Sequence, residues 1–183
     1  VPLEYLTAAS MVVLAAADLM RLPGAVVAAA AGVAVVLHVA RCLRWRGWRT
    51  AGEPLLWTLH LGYLWFIAAL ALRALAELVP LVPRDAWIHA FTVGALGLTM
   101  TGLMTRVVLR HTGRALLVGA WMILAFAAMF AAALLRLSVP LAGAGAWAIT
   151  ASAALWAVAF LLYLLRYGLL LLRPSLPRAG AAP

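Results

Sequence analysis

Apolar residues run along this chain in six long stretches, each closed by arginine, proline or glycine, and the pattern predicts six membrane helices. A hydrocarbon core of about 30 Å takes about 20 residues of helix, within a range of roughly 17 to 25. The stretches are Leu6–Met20, Ala25–Ala40, Leu55–Leu72, Ala86–Thr105, Ala115–Leu135 and Ala142–Leu165. The third begins just after Pro54, a good residue for a first helical turn. The fourth is expected to continue to His111 and stop at Gly113 as its C-terminal cap. Pro140 is expected to block the fifth, and the sixth can extend through Leu172 to Pro174. The expected fold class is all-α, a polytopic helical membrane bundle with a transmembrane domain over 1–174. The remaining tail, 175–183, is too short and too rich in Ala, Gly and Pro to fold alone.

Composition supports this class. At 68% hydrophobic and 10% charged residues the chain is too apolar to cover itself with a wettable surface, so the lipid bilayer is its first expected partner. All 14 basic residues are arginine, with no run of basic and aromatic residues on a polar face, which makes nucleic acid a poor partner. The arginines instead report orientation. Ten lie in the second-to-third connection, the fourth-to-fifth connection and the tail, against four on the other side, so both ends of the chain are expected to be cytoplasmic. The first 20 residues carry no signal-peptide cleavage pattern, and the chain begins at Val1, as a fragment would. The single cysteine, Cys42, excludes an internal disulfide and every multi-cysteine metal motif.

The chemistry of the sequence lies in four histidines, His38, His60, His89 and His111. An ionisable group in lipid is costly, so each is by default a site. His60 lies six residues beyond Pro54, about 9 Å into the membrane at 1.5 Å per residue. His38 and His111 fall near helix ends on the same side, so these three are expected at one level. His89 enters from the opposite face, and 22 residues of one helix hold it about 33 Å from His111, too far to share an ion. On the third helix Glu53, Trp57, His60 and Leu64 share a face, with Tyr63 three residues after the histidine; on the second, His38, Arg41 and Cys42 share one. A neutral imidazole is a ligand for haem iron and copper, and arginines pair with haem propionates. The plainer alternative is that each histidine hydrogen-bonds across a helix pair or faces headgroups. Met100 and Met104 are core residues on this reading rather than copper ligands.

The fourth helix carries two stripes of small residues, Ala90–Gly94–Gly97–Thr101–Thr105 and Ala95–Thr99–Gly102–Arg106. Such faces let other helices, or a flat cofactor, come close to the backbone, and two of them place this helix centrally. There is no serine elbow, phosphate loop, HExxH or close carboxylate pair, so no enzyme class is assigned.

Several stretches in order, Arg46-Gly-Trp-Arg-Thr50, Glu53-Pro-Leu-Leu-Trp-Thr-Leu-His-Leu-Gly-Tyr63, His89-Ala-Phe-Thr-Val-Gly-Ala95, Met104-Thr-Arg106, His111-Thr-Gly-Arg114 and Arg166-Tyr167, resemble the NnrS family of bacterial membrane proteins. The resemblance spans about Arg41 to Arg178, and the chain looks like the C-terminal half of members roughly twice as long. It implies an inner-membrane protein of the response to nitric oxide and denitrification stress, with haem and copper as cofactors, nitric oxide as small-molecule ligand and the N-terminal half of the same protein as partner. Carried over by position, it implies His60, His89 and His111 as metal ligands, with Arg106 and Arg114 as cofactor-binding residues beside them; Tyr63 or an arginine would tune the ligand. His38 matches no motif of the family, and Arg110 stands where the family usually has glycine. The rival reading is half of a membrane transporter, with histidines and Arg106 lining a polar pathway and no bound metal; a third is a structural subunit supporting the other half.

Overall fold

The computed structural model describes residues 2–176 as an up-and-down bundle of six helices, each long and apolar enough to cross a membrane. They are α1 (Pro2–Leu19), α2 (Gly24–Trp45), α3 (Pro54–Leu78), α4 (Ala86–His111), α5 (Ala120–Ala142) and α6 (Ala146–Leu171). Most are longer than the apolar stretches that predict them, because arginines and tryptophans at the stretch ends continue the helix. In α2, Arg41, Arg44 and Trp45 add more than a turn before Arg46, at φ 50°, reverses the chain in the left-handed region. A 3-10 turn over Gly47–Thr50 then leads to α3.

Two boundaries differ from expectation. Pro140 lies inside α5, which continues to Ala142 and ends at Gly143 with φ 66°. In the last turn of a helix the missing N–H deprives only the Arg136 carbonyl, and the ring does not stop the residues after it. Conversely, Ala115–Val118 is not helical, and α5 starts after Gly119. Gly113, at φ 70°, closes α4 as expected, with the Arg114 N–H bonded to the Leu109 carbonyl. The segment after α6 returns to this end, where the Leu176 N–H bonds the Thr112 carbonyl and the Ser175 hydroxyl bonds that of His111.

Helix α3 joins two cores. One holds Leu14, Ala17, Val27, Ala31 and Ala34 of α1 and α2 against Leu70. The other packs Leu55 and Trp65 of α3 with Leu98, Met122, Phe126, Met129, Tyr163 and Tyr167 from α4, α5 and α6. Both small-residue stripes of α4 are seams between helices. Gly94 meets the indole of Trp65, Gly97 the sulfur of Met129, and Gly102 the methyl of Thr58, while Gly62 of α3 faces Thr99 and the Ala95 carbonyl. The hydroxyls of Thr58, Thr101 and Thr105 bond carbonyls of their own helices at 2.7–2.9 Å, so these three bring no unpaired polar group to the seams. Residues Ala90–Leu96, directly after His89, form a π-helical turn within α4.

Candidate functional site

The polar side chains collect at the two ends of the bundle. At the arginine-rich end, α1, α2 and α3 bring together Glu4, His38, Arg41, Trp45, His60 and Tyr63. Because α2 extends to Trp45, His38 lies seven residues, about 10 Å, inside the helix end and is only 5% exposed. It is not an interfacial residue, as its sequence position suggested. Its Nδ1 is 2.5 Å from the Tyr63 hydroxyl oxygen. Arg41 donates from Nη1 to that oxygen at 3.3 Å and from Nε to Glu4 at 2.6 Å. With the guanidinium donating to Tyr63, the tyrosine proton points to His38 Nδ1, and the neutral imidazole carries its own proton on Nε2. That nitrogen is buried without a hydrogen-bond partner.

His60 has the opposite tautomer. Its Nδ1 lies 2.7 Å from the Leu56 carbonyl, which can only accept, so Nδ1 carries the proton and Nε2 keeps the lone pair. This Nε2 is also buried and without a partner. The imidazole stands edge-on to Trp45, whose ring meets Tyr63 at 4.6 Å with a tilt of 47° and lies 4.7 Å beneath the Arg41 guanidinium. Grooves of about 650 and 530 Å³ flank His60. The larger is walled by Cys42, Leu43, Trp48, Trp57 and Leu64, the other by Trp45, Leu59, Tyr63 and Thr99. Both volumes fall within the roughly 300–1,000 Å³ of small-molecule and cofactor sites. Gly47 closes over the imidazole edge, so nearly that a Cβ there would stand 2.9 Å from Nε2.

At the opposite end of the bundle, Arg73 bridges Asp18 at 2.6 Å and Glu77 at 2.7 Å, tying α1 to α3, and Arg84 approaches Glu77. His89 stands apart from this network. Its Nδ1 accepts a long 3.4 Å contact from Arg136 Nε, and its Nε2 faces Asp85 at 3.7 Å.

Of the residues singled out in the sequence, the fold unites His60 and Tyr63 and adds His38 to them. Cys42 lines the His60 groove. His89 and His60 both contact protein and lie at different levels, since Gly62 is opposite Ala95 and Thr99 and Trp65 opposite Gly94. The expected common level of three histidines is corrected. Gly102 is opposite Thr58, so His111, nine residues further along α4, stands about 13 Å beyond that contact. His111 is exposed at the helix end, Arg114 bonds the Thr112 carbonyl, and Arg106 makes no ion pair among the described residues. Arg178 lies outside the described residues. Among those described, no three His, Cys, Asp or Glu side chains converge as a metal-binding group. Sequence reasoning missed Glu4 and Arg136. Each belongs to the same end of the bundle as its partner, which was the one available signal.

Residues 1–175 match the protein-family model described as NnrS protein. Among curated proteins, and among solved structures, no match is found.

Proposed function

The chain belongs to the NnrS family, and from that membership and the geometry of His60 we propose an inner-membrane protein of the nitric oxide response that holds haem, with copper as the second candidate. The observation that carries the reading is the His60 Nε2: a buried lone pair, beside two grooves of cofactor size, on a ring whose other nitrogen is anchored to a backbone carbonyl. Metal-bound histidines usually have that anchoring, because it fixes the tautomer and aims the ligating nitrogen. Bound there, haem iron or copper would supply an open position for a diatomic ligand.

The residues around it have separable roles. Trp57, Leu61 and Leu64 keep the groove apolar and exclude water. Tyr63 accepts from Arg41 and donates its hydroxyl proton to His38 Nδ1, one helical turn from His60, and the Arg41 charge at that level is paired with Glu4. Gly47 lies over Nε2, so loading requires the Gly47–Thr50 turn to give. His38 in its present tautomer offers an N–H rather than a lone pair, and His89 and His111 lie at other levels. The completing ligand is then either the Cys42 thiolate, which lines the same groove, or a residue beyond these six helices, for which the N-terminal half of a longer NnrS-type protein is the expected source. Arg106, about one turn along α4 from the Gly102–Thr58 contact, is the candidate for cofactor carboxylates, whereas Arg114, past His111, shares that residue's displacement from His60.

The test is an absorption spectrum of the protein purified with any chain region it has beyond these residues. A Soret band that shifts when nitric oxide is added supports the reading. A folded protein with no haem and no copper overturns it in favour of a metal-free transporter half.

A further inference from the structure

The sequence has five acids, and the fold leaves none of them for Arg136. Glu4 pairs with Arg41, Asp18 and Glu77 pair with Arg73, Asp85 turns to the Nε2 of His89, and Glu53 begins α3 at the other end of the bundle. Arg136 makes no ion pair among the described residues, although it lies six residues, about 9 Å, inside the end of a membrane helix. An uncompensated guanidinium at that depth is expensive. Its Nε is directed at His89, which leaves the two terminal nitrogens as a fork beside a groove of about 450 Å³ between α4 and α6.

We propose that this groove binds an anionic phospholipid, with its phosphate on the Arg136 fork and an acyl chain along Ile88, Val93, Ile149 and Trp156. The walls distinguish a lipid from a free oxyanion. The Thr92 and Ser152 hydroxyl protons are already given to the Ile88 and Ala132 carbonyls and the His89 Nε2 proton faces Asp85, so a free anion losing its hydration would gain one charged donor, Arg136, and at most the Trp156 indole N–H beside it. A lipid adds the burial of its chain on the apolar wall. The arrangement also disfavours a cation at His89. A metal on Nε2 would place the imidazole proton on Nδ1, facing a guanidinium that donates to the same point. This proposal stands independently of the haem reading at His60.

The test uses the whole protein in nanodiscs of neutral phosphatidylcholine, with and without phosphatidylglycerol, followed by native mass spectrometry and thermal melting. Phosphatidylglycerol is expected to remain bound through collisional activation and to raise the melting temperature. Arg136→Gln should weaken retention about tenfold, as loss of a bidentate charge-assisted contact does. Arg166→Gln, an exposed arginine at the other end, should leave it unchanged. If Arg136→Gln does not fold, a photo-crosslinkable phosphatidylglycerol on the wild-type protein decides: adducts on 88–93 or 149–156 support the site, and adducts elsewhere overturn it. Equal retention by Arg136→Gln, or Arg136-dependent stabilisation by millimolar inorganic phosphate in neutral discs, also overturns the lipid assignment.

Discussion

A neutral imidazole has one lone pair, and the neighbour that fixes its proton decides what the residue can hold. Tyr63 gives its proton to His38 Nδ1, so that ring presents an N–H; Leu56 accepts the proton of His60, so that ring presents a lone pair. His60→Ala is therefore expected to lower bound haem or copper per protein far more than His38→Ala, with metal analysis and a pyridine haemochrome assay as readouts. Equal content in both folded variants would remove the ligand role of His60. Tyr63→Phe leaves His38 Nδ1 and one Arg41 nitrogen without a partner. Its cost should be about 1–3 kcal/mol, toward the lower end in a membrane, seen as a drop of a few degrees in a thermal melt. The face shared by His60 and Tyr63 is legible in the sequence, because spacing within one helix fixes it. The tautomers of His38 and His89 are not, since they depend on contacts between helices 25 and 47 residues apart, with Tyr63 and Arg136; that of His60 depends on a carbonyl four residues earlier in its own helix, but spacing alone does not show that the ring turns back to it.

Between helices, close approach depends on a few glycines. A Cβ at Gly94 would stand 2.5–2.7 Å from three atoms of the Trp65 indole, which is itself 8% exposed and packed in the larger core. Gly94→Ala should cost about 1–3 kcal/mol by overpacking. Gly32 in α2 is the contrast, for a Cβ there meets nothing within 4 Å. Gly32→Ala should leave the fold intact and stabilise it by up to about 1 kcal/mol through helix propensity. Melting both variants in the same detergent checks the pair; equal effects would mean that α3 and α4 are not in this register. The central position of α4 is readable from its stripes of small residues. Which stripe meets which helix is not, and neither is the π-helical turn after His89, because apolar residues such as Phe91 and Val93 suit either winding. Pro140 misleads for a related reason: its effect depends on how much helix remains after it, and two residues remain.

Across the whole molecule, charge is distributed by end. Among the described residues, the end that carries the α2–α3 and α4–α5 connections and the segment after α6 has nine of the 13 arginines and two of the five acids, Glu4 and Glu53. The other end has four arginines and three acids, with Arg73 held between Asp18 and Glu77. Six helices joined by short connections put both chain ends on the arginine-rich side, where Glu4 of α1 meets Arg41 and Leu176 meets Thr112. Arginines near helix ends resist translocation, so this side is expected in the cytoplasm. A reporter active only in the periplasm should give no signal when inserted after Gly52 or fused after Leu176, and a strong signal when inserted after Val82. The site at His60 would then open toward the cytoplasm and the Arg136 groove toward the periplasmic leaflet. The reverse pattern would invert both assignments while leaving the bundle unchanged, and signal at all three positions would mean that the six helices do not all span.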